Sequence, residues 1–306
     1  VLKDGASAAI YGTRGANGVI LITTKQAADG GAGFFSVNYE SYFSANLMHD
    51  LPDVLGYEEY LERDRGINYG YHDDWLGALK RDFSYDNNQY LNISGSTNKS
   101  KYSISLNLVD KTGLDKANAS TQYGARIAFS QKTLNDLLEL SSSFNIRGVD
   151  ALTGSSGITS VVTMNPTQPI WNEDGTGYDH PLTSTGATNP VENANDITNT
   201  ATDIFLLSTL EARLQLLKNE KHSLNVSANY ALDWRSGKSY YYRPSTHATS
   251  AWDGNKGSAS LGENRNWTKQ FETTANYTFQ NSTHVLRGVA GYSFTENISE
   301  NMSMTN

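Results

Sequence analysis

A two-residue hydrophobic period runs along almost the whole of this chain, and it restricts the possible folds more than any other feature. From Phe35, apolar side chains occupy every second position (Phe35, Val37, Tyr39, Phe43, Ala45, Leu47), opposed by Ser36, Asn38, Glu40, Ser44 and Asn46. Successive side chains of a strand point to opposite faces, so such a segment is a ribbon that is apolar on one face and wet on the other. The pattern returns over residues 91–94, 102–108, 122–130, 138–147, 204–216, 224–235, 267–279 and 286–294. It predicts about nine long antiparallel strands, several of them longer than the roughly 9–11 residues that a tilted membrane span needs.

The connections separate a membrane barrel from a soluble sandwich. Short ones are expected at 98–100, 133–136, 218–222 and 280–283, and long ones at 50–88, 110–121, 149–202 and 236–266. Strict alternation of turns and long loops is the plan of an up-and-down membrane barrel. A sandwich also has amphipathic strands but rarely carries a long loop at every other corner. No stretch approaches the 18 or more apolar residues of a membrane helix, whereas a barrel's lipid-facing residues alternate with polar ones and escape ordinary hydropathy averaging. The expected fold is mainly β, an incomplete transmembrane antiparallel β-barrel.

The first 25 residues are organised differently. Asp4 suits the N-cap of a short helix running from Ala6 to Ile10, and Gly12 suits its stop. Gly15 and Gly18 bracket a tight turn, and the β-branched run that begins at Val19 reads as a buried strand. A glycine-rich linker, 26–33, follows. The sequence Val1-Leu2-Lys3-Asp4, Ile10-Tyr11-Gly12, Arg14, Asn17-Gly18-Val19 and Thr23-Thr24-Lys25 resembles the end of the plug domain in the SusC/RagA family of TonB-dependent outer-membrane transporters. Its motif residues are Asp4, Tyr11, Gly12, Arg14, Asn17 and Gly18. Gly5-Ala6-Ser7 departs slightly from the Ala-Ser that usually follows the Asp. The resemblance continues in Asp74-Trp75, then in Leu91 to Gly95, Tyr102 and Gly113; beyond about residue 130 it is architectural only.

That resemblance implies the C-terminal part of an α/β plug domain and its linker over residues 1–32. Residues 33–306 would then be the N-terminal part of a barrel of about 22 strands, the size class of plugged outer-membrane transporters. It further implies TonB-dependent active import of a bulky nutrient, an oligosaccharide or a peptide, across the outer membrane of a Gram-negative bacterium. The implied partners are a SusD-like surface lipoprotein over the mouth, outer-membrane lipid, and TonB, acting through a segment upstream of Val1. The chain begins inside a motif and is read as a piece of a longer protein. A siderophore or cobalamin receptor of the wider TonB-dependent group, and a secreted β-rich adhesin, are the alternatives.

Nothing in the chain points to catalysis, a cofactor or a metal. The net charge of −8 gives no basic face for nucleic acid, and with no cysteine there are neither disulfides nor thiolate sites. The histidines (His49, His72, His180, His222, His247, His284) are scattered without a ligand cluster. Glu58, Glu59, Glu62 and Asp64 read as the solvated face of a short helix over 57–63, and Asn172 to Gly175 as a turn rather than a calcium loop. Ser155 and Ser156 lack the strand–turn–helix setting of a nucleophile. Trp234, Tyr240, Tyr241, Tyr242 and Trp267 suit a membrane-interface belt. Trp171, Tyr178 and Trp252, set among Asn, Asp and Gly in long loops, are candidate substrate contacts, able to stack on a sugar ring or to pack the loops together.

Overall fold

The computed structural model describes residues 33–47, 54–64, 66–154, 158–180, 188–252, 254 and 256–306. The expected plug segment, with Asp4, Tyr11, Gly12, Arg14, Asn17 and Gly18, lies outside the described residues. Nine strands form one antiparallel sheet: β1 (Phe34–Asn46), β2 (Ser84–Ser96), β3 (Ser100–Thr112), β4 (Ala119–Thr133), β5 (Leu138–Leu152), β6 (Thr198–Lys218), β7 (His222–Arg243), β8 (Ser258–Gln280) and β9 (Val285–Thr305). Their spatial order is their sequence order, so each strand pairs with its chain neighbours.

The register puts the period-two pattern to use. One rung crosses all nine strands through Tyr39, Leu91, Leu106, Ala125, Ile146, Leu206, Trp234, Trp267 and Ile298. A second runs through Phe35, Gly95, Tyr102, Phe129, Ser142, Leu210, Tyr230, Phe271 and Phe294 on the same face. These side chains have no covering layer: Phe35 is 63% exposed and Leu210 56%. On β7 the apolar stretch from Leu224 to Trp234 spans about 25 Å at a tilt of about 40°, the height of a barrel's lipid-facing band. On β1 the stretch lies several rungs nearer the loop end than on β7, the drift that strand tilt produces. One ion pair, Lys269 Nζ to Glu296 Oε2 at 3.0 Å, interrupts the band beside Trp267.

The opposite face carries hydroxyls and amides, several of which bond one another. Asn92 donates to Ser103 Oγ (2.9 Å) and Ser105 Oγ (2.8 Å), Thr268 to Asn297 Oδ1 (2.8 Å), and Asn276 to Asn225 Oδ1 (3.2 Å). The Asn-x-Ser/Thr triplets at Asn225 and Asn276 sit on this face.

The connections differ from the sequence expectation. Residues 97–99, 134–137, 219–221 and 281–284 are the short turns expected at one end. At the other end only 47–83 and 153–197 are long. The loops expected over 110–121 and 236–266 shrink to 113–118 and 244–257, because the flanking strands continue well past their alternating segments. β6 to β9 have 21 to 23 residues against 13 to 15 in β1 to β5. Tyr240 to Tyr242 therefore belong to β7, beyond the belt marked by the facing pair Trp234 and Trp267.

The buried core lies in the loops rather than the sheet. Trp75, Leu79, Val161, Ile170 and Val191 form it, from the 47–83 and 153–197 loops. These loops contribute α1 (Tyr57–Glu62), the helix expected from sequence, α2 (Trp75–Leu79), a 3-10 helix (Ile158–Thr163) and α3 (Pro190–Asp196); α4 (Ala248–Trp252) lies in the 244–257 loop.

A charge in the band should be costly and one on the opposite face should not. In the full-length protein, Leu210→Arg is expected to lower folding stability in lipid by about 2–4 kcal/mol. Thr209→Arg, one residue along and on the other face, should change it by less than about 1 kcal/mol. Urea titration in phospholipid vesicles checks both.

Candidate functional site

The site is built where the two long loops are laced together. Asp74 caps α2 by accepting from the Gly77 N–H (2.8 Å), which turns Trp75 into the loop core, and the Trp75 indole donates to Gln168 O (3.1 Å). Asp73 Oδ2 accepts the Ile170 N–H (2.7 Å), and the fully buried Thr167 accepts the Tyr69 N–H (3.1 Å). The Asp74-Trp75 element is thus the tie between the loops.

Just past the buried Ile170, Trp171 emerges, 46% exposed, and stacks on Tyr178 with ring centroids 4.8 Å apart and planes 26° from parallel. The pair closes a small hairpin: Asn172 N–H donates to Gly177 O (3.0 Å) and Gly177 N–H to Asn172 Oδ1 (3.1 Å). Gly175 provides the left-handed turn at φ +69. Asp174 accepts from the Thr176 hydroxyl (2.6 Å) and backbone N–H (3.0 Å). Those bonds hold its carboxyl below the usual range and define the expected turn. The Tyr178 hydroxyl accepts from Asn195 (3.0 Å), while burial pushes its phenol upward.

Asn189 fastens this hairpin to α3. Fully buried, it donates to Ile170 O (2.8 Å) and Asp179 O (2.9 Å) and caps α3 by accepting from Val191 and Glu192 N–H. Glu192 accepts the Ala248 N–H on α4 (2.9 Å), joining the third loop. Its other oxygen has no hydrogen-bond partner among the described residues and faces His180 Nδ1 at 3.7 Å and His247 Nε2 at 3.9 Å. His247 Nδ1 accepts the Thr249 N–H (3.2 Å), so its Nε2 carries the proton and donates to Asn193 Oδ1 (2.9 Å). Burial lowers the His247 pKa; Glu192 and Asp196 oppose that shift, and Arg243 and His180 add to it.

Of the candidate substrate contacts, then, Trp171 and Tyr178 come together, and Trp252 closes α4 on the adjoining loop. Asn189, Glu192 and His247 were missed from sequence. Asn189 followed by Pro190 is a helix-start signal that was available; the junction of Glu192 with His247, 55 residues apart, left no local trace. Among the described residues, no group of three His, Asp or Glu side chains is placed to hold a metal ion.

No family model matches the chain. It is 31% identical over 209 residues to TonB-dependent receptor P26 of Formosa agariphila, covering 63% of this chain and 21% of that protein. It is 29% identical over 210 residues to TonB-dependent receptor SusC of Bacteroides thetaiotaomicron, covering 62% and 20%. The RagAB peptide importer in its open-open state superposes over 100% of this chain and 39% of that one, with TM-score 0.75 at 19% identity. In sequence the chain is similar to TonB-dependent receptors, SusC among them, and in fold to RagAB. It spans about a fifth of the length of the curated relatives it matches. These SusC/RagA relatives are receptors, not enzymes. The nine-stranded sheet is accordingly an incomplete barrel.

Two outcomes follow for the loop junction. Asn189→Ala removes four hydrogen bonds at a buried point, a local loss of about 2–4 kcal/mol at about 1 kcal/mol each. Hydrogen exchange over 170–179 should accelerate while amides of β6 and β7 stay protected. For His247, burial sets the folded pKa below the ordinary 6.5. Above that pH both folded and unfolded forms are neutral and stability is flat; below it the unfolded form takes the proton first, so the junction weakens. Exchange over 244–252, corrected for intrinsic rate, should rise between pH 7.5 and 5.5 and lose that dependence in His247→Gln.

Proposed function

We propose that this chain supplies part of an active importer that draws a bulky nutrient, an oligosaccharide or a peptide, across a Gram-negative outer membrane. One observation carries the reading: a nine-strand apolar rung on one face, backed by hydroxyls and amides on the other. Hydrocarbon suits the first surface and a watered lumen the second. An adhesin would need a second layer over the apolar face, and among the described residues there is none. The name of the RagAB peptide importer favours a bulky nutrient over a siderophore or cobalamin.

In this reading residues 33–306 are barrel wall and residues 1–32 the end of a plug and its linker. The short turns face the periplasm and the loop core faces outward. A SusD-like lipoprotein covers the mouth, and TonB pulls on a plug segment outside this chain. Trp171, stacked on Tyr178 with its other face open, meets the nutrient together with Trp252.

The test uses the full-length protein in its own bacterium. Uptake of the nutrient should stop when TonB is deleted, although surface binding remains. Trp171→Ala should weaken that binding about tenfold, the loss of one aromatic contact of roughly 1.4 kcal/mol, while Trp171→Phe keeps most of it. Uptake that continues without TonB would overturn the importer reading; unchanged affinity in Trp171→Ala would remove the tryptophan from it.

A further inference from the structure

The polar face of the sheet has a defect on the loop side of the apolar band. Three residues past Trp234 on β7, the rung Asp203, Gly237, Asn264 and Asn301 has no side chain at its second position. The next rung outward has the same gap on the adjacent strand, at Gly262, beside Ser239. The two missing side chains open a cleft of about 360 Å³, at the small end of the range for small-molecule sites.

Both glycines let neighbouring polar side chains approach closely. A Cβ on Gly237 would stand 2.7 Å from Asp203 Oδ1 and 2.8 Å from Asn264 Oδ1, and one on Gly262 would stand 2.7 Å from Ser239 Oγ. The flanking polar groups therefore lean over the gap from both sides. Their bonding leaves them free to meet a ligand. Closer to the turn end, Thr268 bonds Asn297, Ser227 bonds Thr274 and Asn276 bonds Asn225. Around the cleft, the side chains of Asn264, Asn301 and Ser239 make no hydrogen bond among the described residues. Arg235 holds Asp203 Oδ1 through Nη2 (2.9 Å) and Nε (3.3 Å), which leaves the second carboxylate oxygen and Nη1 without a bond.

We propose that this cleft is a binding subsite for one ring of a neutral sugar. Its free groups are amides, a hydroxyl, one carboxylate oxygen and one guanidinium nitrogen, a mixed set of donors and acceptors such as the hydroxyls of a sugar can meet. The carboxylate and guanidinium cancel in charge, so an ionised terminus or phosphate gains nothing. An apolar peptide side chain finds no slot: the neighbouring ring, Phe205, is taken by the Arg147 guanidinium at 4.2 Å and by Arg235 at 5.0 Å. The subsite rests on the importer reading for its place along a substrate route, and its chemistry selects the sugar over the peptide within that reading.

The experiment uses the full-length protein in detergent and calorimetric titration with maltohexaose, cellohexaose, xylohexaose and mannohexaose. A neutral heptapeptide of Gly, Ser and Ala is the peptide arm. At least one sugar should bind, and Asn264→Ala combined with Asn301→Ala should weaken it about tenfold at an unchanged melting temperature, since neither side chain holds the fold together. Gly262→Ala, which crowds Ser239 without removing a polar group, should weaken it too. Sugar affinity equal in wild type and the double variant overturns the subsite, as does binding of none of the four sugars. Binding of the peptide alone overturns it as well but leaves the importer reading standing, because TonB-dependent uptake is measured separately.

Discussion

In hydrocarbon there is no water to satisfy a backbone N–H or C=O, and this one constraint organises the sheet. Each strand must give its polar groups to neighbours on both sides, and the neighbours available at least cost are those joined by a tight turn. The order β1 to β9 without a crossover is the result. Once the backbone is paired, the only freedom left is which face each side chain takes. Lipid on one side and water on the other convert that into a strict period of two, and a slip of one residue would reverse every side chain. The rung from Tyr39 to Ile298 shows that no slip occurs across nine strands. Among the described residues the single register irregularity, between Gln215 and Leu217, lies at the turn end of β6, where the band begins opposite Leu224.

Outside the band the constraint relaxes, and the chain reaches the same end by two routes. On the β1 to β5 side the strands are short and the long loops fold their own core around Trp75 and Ile170. On the β6 to β9 side the strands simply continue. A loop core hides apolar surface, and leaving a polar group unpaired there is costly, which is why Asn189, Thr167 and Asp73 are so fully bonded. An extended strand needs no core, because its backbone is already paired.

This difference explains what could be read from the sequence. All nine strands were legible, because lipid enforces alternation where they cross it. The ends of β3, β7 and β8 were not. Asp110 to Thr112, Tyr240 to Tyr242 and Ser258 to Ser260 pair in register but see similar surroundings on both faces, so the alternation that marks a strand is lost while the strand goes on. Tyr57 to Glu62 and Asp74-Trp75 were legible because a helix and its cap are local events. The contacts from Asp73 to Ile170 and from Glu192 to Ala248 join residues 97 and 56 apart and arise only when the loops meet.

Sites arise where a rule of the framework is suspended. On the polar face several amides and hydroxyls bond one another across neighbouring strands, as Asn92 does with Ser103 and Ser105, and such pairs present little to a passing molecule. Replacing one side chain by glycine breaks that pairing for its neighbours without disturbing the backbone ladder, since the ladder does not depend on side chains. Gly237 and Gly262 do this on adjacent strands at a height where the wall no longer faces lipid on its other side. A strand tolerates a glycine at some cost in order, and long strands with paired neighbours on both sides absorb it best. β7 and β8 are the longest strands of the sheet, and each is paired on both edges. The framework is therefore strongest where the polar face is left unsatisfied, which is the arrangement a rigid wall needs if it is to hold a ligand without deforming.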